Sequence, residues 1–149
     1  GATGATGPAG PAGGIAEFGY VYNLGAQVVP IEADITFDSN GLVTDGVSHS
    51  PGSSTTVITN AGVYEIGFSV SGVEPNQFAI FINGTSVDAS IHGSGAGTQQ
   101  NNGHVLVVLS AGDVITLRNH SSAAAVTLQT LAGGTQNNVN ASLLIRKLN

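Results

Sequence analysis

The side chains with the most chemistry to offer are Asp34, Asp38 and Asp45, and the histidines His49, His92, His104 and His120. The three aspartates lie close together with Asn40 among them, and Ca2+ takes oxygen donors of this kind. Their spacing matches no EF-hand loop, since the closing glutamate is absent, so a solvated acidic edge is the competing reading. The histidines form no H-x-x-x-H pair and stand at ligand spacing from no carboxylate. All four fall in or beside turn-forming residues and read as solvent-exposed. No Gly-x-Ser-x-Gly elbow joins a strand to a helix. Gly93-Ser94-Gly95-Ala96-Gly97 is glycine-rich, but no helix follows to complete a phosphate cradle, and it reads as a mobile loop. Asp113 sits at a turn and is expected to bond its own turn backbone. Asn83-Gly84-Thr85, Asn119-His120-Ser121 and Asn140-Ala141-Ser142 fit the N-glycosylation acceptor pattern, as coincidence in an Asn/Ser-rich chain. No nucleophile, base and oxyanion donor group together, so the chain is expected to be no enzyme and to need no cofactor.

The elements that must carry these residues are short strands. Tyr64, Ile66, Phe68 and Val70 alternate with Glu65, Gly67 and Ser69, which is the period of a half-buried strand. Asn83-Gly84 between Gln77–Ile82 and Thr85–Val87 is the strongest short hairpin signal. Val105–Leu109, the turn Ser110–Asp113 and Val114–Leu117 read as a second hairpin. Ser39-Asn40-Gly41 reads as a turn between Ile35–Asp38 and Leu42–Val43. Further strands are expected at Phe18–Tyr22, Val28–Ile31, Thr55–Thr59, Ala124–Leu128 and Ser142–Leu148, with Pro30 confining its strand to an edge. Residues 92–103 read as a long loop. No window has helical periodicity. About ten short strands in this length predict an all-β chain, a β-sandwich or jelly roll.

Composition narrows the function classes. The chain has 149 residues, enough for one domain. Aromatic residues make up 5% and tryptophan is absent, so the core must rely on Val, Ile, Leu and Ala. Net charge is −6, with Arg118, Arg146 and Lys147 the whole basic complement. That argues against a nucleic-acid footprint and against an anionic membrane surface. The apolar runs are too short to span a bilayer. Without cysteine, stability must come from packing or oligomerisation.

The N-terminus states a stoichiometry. Gly1-Ala2-Thr3, Gly4-Ala5-Thr6, Gly7-Pro8-Ala9 and Gly10-Pro11-Ala12 are Gly-X-Y triplets in phase, and Gly13 opens another. Glycine at every third residue is the rule of the collagen triple helix, because only glycine fits at its crowded axis. Three copies are therefore expected. Proline occupies X and never Y, which suits a bacterial source that does not hydroxylate proline. The expected division is a collagen-like stalk end over 1–14 and a head over 15–149, with the stalk continuing upstream.

The run Ile58–Phe68, the Phe81-Ile82-Asn83-Gly84-Thr85 hairpin, Val107–Ile115 and Ser142–Ile145 resemble, in order and spacing, strands of the C1q/tumour-necrosis-factor-like family. The cysteine-free, Val/Ala/Thr-rich version behind collagen triplets is most similar to the C-terminal heads of collagen-like glycoproteins on the Bacillus spore exosporium. That resemblance implies a ten-stranded jelly roll that forms tight homotrimers. It implies an extracellular spore-surface location on a Gram-positive bacterium, and O-linked sugars on Thr3 and Thr6. It also bears on Asp34, Asp38 and Asp45, since some relatives bind calcium near the trimer axis. The expected function is a structural head that caps and nucleates a collagen-like filament, with other spore-surface proteins as further partners. The alternative is an adhesin or lectin-like head for a host protein or glycan.

Overall fold

A computed structural model describes Gly4 and residues 17–149; the collagen-like triplets, including Thr3 and Thr6, lie outside the described residues apart from Gly4. Thirteen strands follow one another: β1 (Glu17–Asn23), β2 (Val28–Val29), β3 (Ser39–Val43), β4 (Val47–Ser48), β5 (Thr56–Ile58), β6 (Gly62–Val70) and β7 (Asn76–Ile82). The chain continues through β8 (Thr85–Ser86), β9 (His92–Ser94), β10 (Asn101–Leu109), β11 (Val114–Asn119), β12 (Val126–Thr127) and β13 (Ala141–Lys147). A single 3-10 turn, Asp88–Ser90, interrupts them among the described residues.

The strands form two antiparallel sheets packed face to face as a jelly-roll sandwich. The first has the order β10-β6-β13-β1-β3. The second runs β4-β5-β11-β7-β8, with β9 pairing the other half of β7. A small ribbon of β2 and β12 lies beside them. Strand β6 explains the first sheet. Its alternation buries Tyr64, Ile66, Phe68 and Val70, each at most 5% exposed. The same register sets Leu143 opposite Phe68 and Ile145 opposite Ile66 on β13, and Val21 opposite Leu143 on β1. The core is closed from the second sheet by Ile58, Phe78, Ile80, Ile115 and Leu117. Strand β7 lacks alternation because both of its faces are covered. Phe81 points away from the core, yet the Arg118 guanidinium lies 4.0 Å from its ring centre and His120 meets it edge-on.

Asn83-Gly84 is the hairpin its sequence predicts, with φ of 52° and 79° at the two residues, the left-handed pair of a type I′ turn. Three expectations fail. Ser39-Asn40-Gly41 is no turn but strand, paired to β1 around a bulge between Gly19 and Val21. Residues 92–103 are not one loop: β9 and the start of β10 occupy both ends. Most consequentially, β10 and β11 are no hairpin. The Ser110–Asp113 turn exists, with the Ser110 amide donating to the Asp113 carboxylate at 2.7 Å. However, β6 takes the whole length of β10, while β5 and β7 take both sides of β11. The Gly112 amide donates to the Ile58 carbonyl, so the turn is bonded to β5 and carries the chain from one sheet to the other.

Gly103 marks a tight place in the core packing. A Cβ there would meet the Phe68 ring at 2.3 Å and His92 Nδ1 at 2.6 Å. Gly103→Ala is expected to lower unfolding stability by about 1–3 kcal/mol through overpacking. Gly134→Ala, with nothing within 4 Å of its Cβ, is expected to change it by less than about 0.5 kcal/mol. Urea unfolding of both variants checks this; equal effects would show that the Phe68–His92 packing yields freely.

Candidate functional site

The aspartates singled out by sequence do not converge. Arg118 Nε donates to Asp34 Oδ1 at 2.8 Å. Asp38 accepts the amides of Leu24 and Gly25 and the hydroxyl of Ser39. Asp45 is exposed at a turn. Among the described residues, no group of three or more His, Asp or Glu stands close enough to hold a metal ion. Each of the first two carboxylates is committed to fixing its own loop or ion pair.

The histidines correct a second expectation, since three of the four are not free loop side chains. His49 is buried; its Nε2 donates to the Ser53 carbonyl at 2.8 Å and its Nδ1 lies 2.5 Å from Asn40 Oδ1. His92 Nδ1 donates to the Ser90 carbonyl at 2.9 Å. His120 Nδ1 sits 2.8 Å from both Glu32 oxygens. Each of these rings lies edge-on to a phenylalanine: Phe37, Phe68 and Phe81 in turn. The phenylalanines, and Glu32 for His120, are far away in sequence, so spacing carried no signal of them. His104 stands exposed in the middle of β10, a strand rather than a turn. The acceptor-pattern asparagines divide likewise. Asn119 and Asn140 are buried cross-links, and only Asn83 is exposed.

The feature that sequence reading missed is the outer face of the first sheet. Cross-strand register lines up Phe18, Arg146, Glu65 and Leu106 in one row. The next row holds Tyr20, Leu144, Gly67 and His104; the third holds Tyr22, Ser142, Ser69 and Asn102. Phe18 and Leu144 are each 36% exposed, Leu106 64% and Val108 81%. Tyr20 and Tyr22 stack with ring centres 5.4 Å apart. One ion pair, Arg146 to Glu65 at 2.5 Å, crosses the middle. The missing side chain at Gly67 leaves a groove of about 240 Å³ bordered by Tyr20, Ser69, Ser142 and Leu144. The face is graded. Its apolar residues gather at the end where β1 begins and β13 ends, and hydroxyls and amides take over toward the opposite end. Exposed Phe18, Leu144, Leu106 and Val108 on a chain with so few charges are surface of the kind that protein contacts use. The signal was present in β10, where Leu106 and Val108 alternate with buried neighbours, but a wholly apolar run reads as core.

The family model of the BclA C-terminal domain matches residues 19–149. No curated protein matches the sequence. Among solved structures, the globular domain of zebrafish complement 1qA protein has a TM-score of 0.64 at 10% identity, covering 88% of this chain and 94% of that one. Murine APRIL has a TM-score of 0.62 at 12% identity, covering 89% and 98%. Rabbit GITRL has 0.56 at 17% identity, covering 90% and 95%. At these identities the likeness is one of fold.

Four carboxylates titrate below their ordinary values. Glu32 is lowered by its bond to His120 and by the Ser121 amide. For Asp38, burial pushes up, but the Gly25 and Leu24 amides and the Ser39 hydroxyl outweigh it. Glu74 is lowered by the Thr127 amide and hydroxyl, and Asp113 by the Ser110 amide and Asn83. A carboxylate whose folded pKa lies below its unfolded value contributes stability in full above the unfolded value. The contribution is lost as pH falls through the folded value. With ordinary values of 4.5 for Glu and 3.8 for Asp, these groups predict a level urea midpoint above about pH 5.5 and a falling one below about pH 4. Asp113→Asn should make the acid limb shallower. A midpoint that rises on acidification would mean that repulsion among acidic groups outweighs their bonds.

Proposed function

The chain belongs to the BclA C-terminal domain family, and from that premise we propose that it is a homotrimeric structural head. In this reading residues 15–149 cap and nucleate a collagen-like filament on a bacterial spore surface, and residues 1–14 are the filament's last triplets. The observation that carries the proposal is the apolar outer face of the first sheet, presented beside the strand through which the stalk enters. Phe18 lies one residue inside β1, and Leu106 and Val108 occupy the same end. A contact through this patch brings the three β1 entries together directly above the collagen segment. The four-triplet stub demands three chains, and the family supplies the surface location.

The mechanism is entropic. A triple helix begins slowly because three extended chains must meet in register before any axis contact forms. A folded trimer turns that three-body encounter into a local one at high effective concentration. The start of β1 is tied into the head: the Glu17 carboxylate accepts the Thr44 hydroxyl and, at 2.9 Å, the Gly46 amide. With no disulfide available, dry packing at the patch is the source of trimer stability. The role is structural rather than catalytic. A second reading, a head that also binds a ligand, draws on an open pocket of about 430 Å³ at the end away from the stalk, lined by Val73, Thr127, Gln129 and Ala132.

Light scattering is expected to return about three times the 14.8 kDa chain mass, for the full chain and for a version starting at Glu17. Leu106→Lys is expected to give folded monomers, since an exposed position tolerates charge at a cost within about 0.5 kcal/mol. A monomeric parent at micromolar concentration would refute the trimer. A trimer lost only on removing the stub would assign assembly to the stalk instead. Nucleation is tested separately, by the rate at which triple-helical circular dichroism returns after melting a longer stalk with and without the head.

A further inference from the structure

We propose that His92 and His104 form a two-imidazole site for a borderline divalent transition metal, with Cu2+ the strongest binder. The pair lies on one rim of the sandwich, where β10 ends the first sheet and β9 flanks β7 in the second. Their ring centres are 5.8 Å apart and the rings are tilted by 39°. Two imidazoles sharing one ion, with metal–nitrogen bonds of about 2.0–2.1 Å, place their ring centres about 5–6 Å apart.

The surroundings hold His92 as a ligand is held. His92 Nδ1 donates to the Ser90 carbonyl, which fixes the tautomer and leaves the Nε2 lone pair free. Metal-ligating histidines are characteristically anchored through their other nitrogen in this way. Ser90 is itself immobile: its hydroxyl donates to the Val87 carbonyl at 2.6 Å and accepts the Ile80 amide at 2.8 Å. The Phe68 ring stands edge-on to His92 with centres 5.7 Å apart, which limits its rotation. Gly103 supplies the room, since any Cβ there would strike both rings. His104 projects from a strand paired to β6 along its full length. The nearest charges on that face, Glu65 and Arg146, are spent on each other.

The chemistry selects the ion. Neutral imidazole nitrogen suits Cu2+, Ni2+ and Zn2+ and does not suit Ca2+ or Mg2+, and among divalent ions Cu2+ binds such donors most tightly. With two protein ligands, water completes the coordination, so the site is weaker than a closed structural zinc site. It uses residues of one chain and does not rest on the trimer reading.

The test is a CuCl2 titration of the full chain at neutral pH, followed by electron paramagnetic resonance with light scattering on the same samples. One Cu2+ per chain with coupling to imidazole nitrogen is expected. Affinity should fall at least about tenfold in His104→Ala and in His92→Ala, and stay unchanged in His120→Ala. His104 is exposed, so its variant keeps the fold even if His92→Ala weakens it. Equal binding by the parent and His104→Ala would overturn the site. One ion per three chains would overturn the single-chain pair in favour of a site shared between copies. Light scattering separates either result from a failure to form trimers.

Discussion

The register of β6 against its two neighbours is the constraint on which the rest of this structure depends. Strand side chains have a period of two, so a slip by one residue exchanges every inward group for an outward one. The register that seats Tyr64, Ile66, Phe68 and Val70 in the core is the one that lays Glu65, Gly67 and Ser69 across the outer face. Core and outer face are therefore one decision. The Glu65–Arg146 pair and the dip at Gly67 exist only in this pairing. The Tyr64 hydroxyl donates to the Asn60 carbonyl at 2.6 Å, which gives the polar tip of this buried ring a partner within its own turn.

A chain with few aromatics and few charges must find other ways to specify its interior. Two devices recur. Histidines take the place of further aromatics, each of His49, His92 and His120 set against the edge of a phenylalanine. Buried asparagines take the place of ion pairs. Asn23 donates to Asn140 at 2.9 Å and Asn101 to Asn76 at 2.8 Å, while Asn119 donates to the carbonyls of Val29, Pro30 and Ala124. These amides tie strand ends to loops that have little apolar surface of their own. A buried amide left without its partner costs more than the bond is worth, so each such pair selects one arrangement of its loops.

What was legible in the sequence was whatever is decided locally. The alternation of β6 and the Asn83-Gly84 turn each follow from a few adjacent residues, and both were readable. A sandwich or jelly roll followed from the number and spacing of the strands, and the family resemblance narrowed it to the jelly roll. What escaped was decided at long range. The Ser110–Asp113 turn looks like a hairpin corner because its residues suit one; only the competition of β6 for β10, and of β5 and β7 for β11, sends its two arms into different sheets. The same holds for the aspartates. Asp34, Asp38 and Asp45 are near neighbours in sequence, yet Arg118 claims the first and the Leu24–Gly25 amides claim the second. The outer face was hidden for a subtler reason: Leu106 and Val108 lie within an unbroken apolar run, where composition cannot separate what faces the core from what faces a partner.

The position of β1 also sets how the head bears load. The strand that receives the stalk is not an edge. It is bonded to β13 along its whole length on one side and to β3 on the other. A pull applied at Glu17 along the axis of β1 loads that strand from its first residue. It therefore strains the ladder bonds on both flanks together in shear, rather than peeling them one after another. Force in that direction is met by a joint whose bonds share it, so β1 is held by geometry as well as by the strength of any single contact.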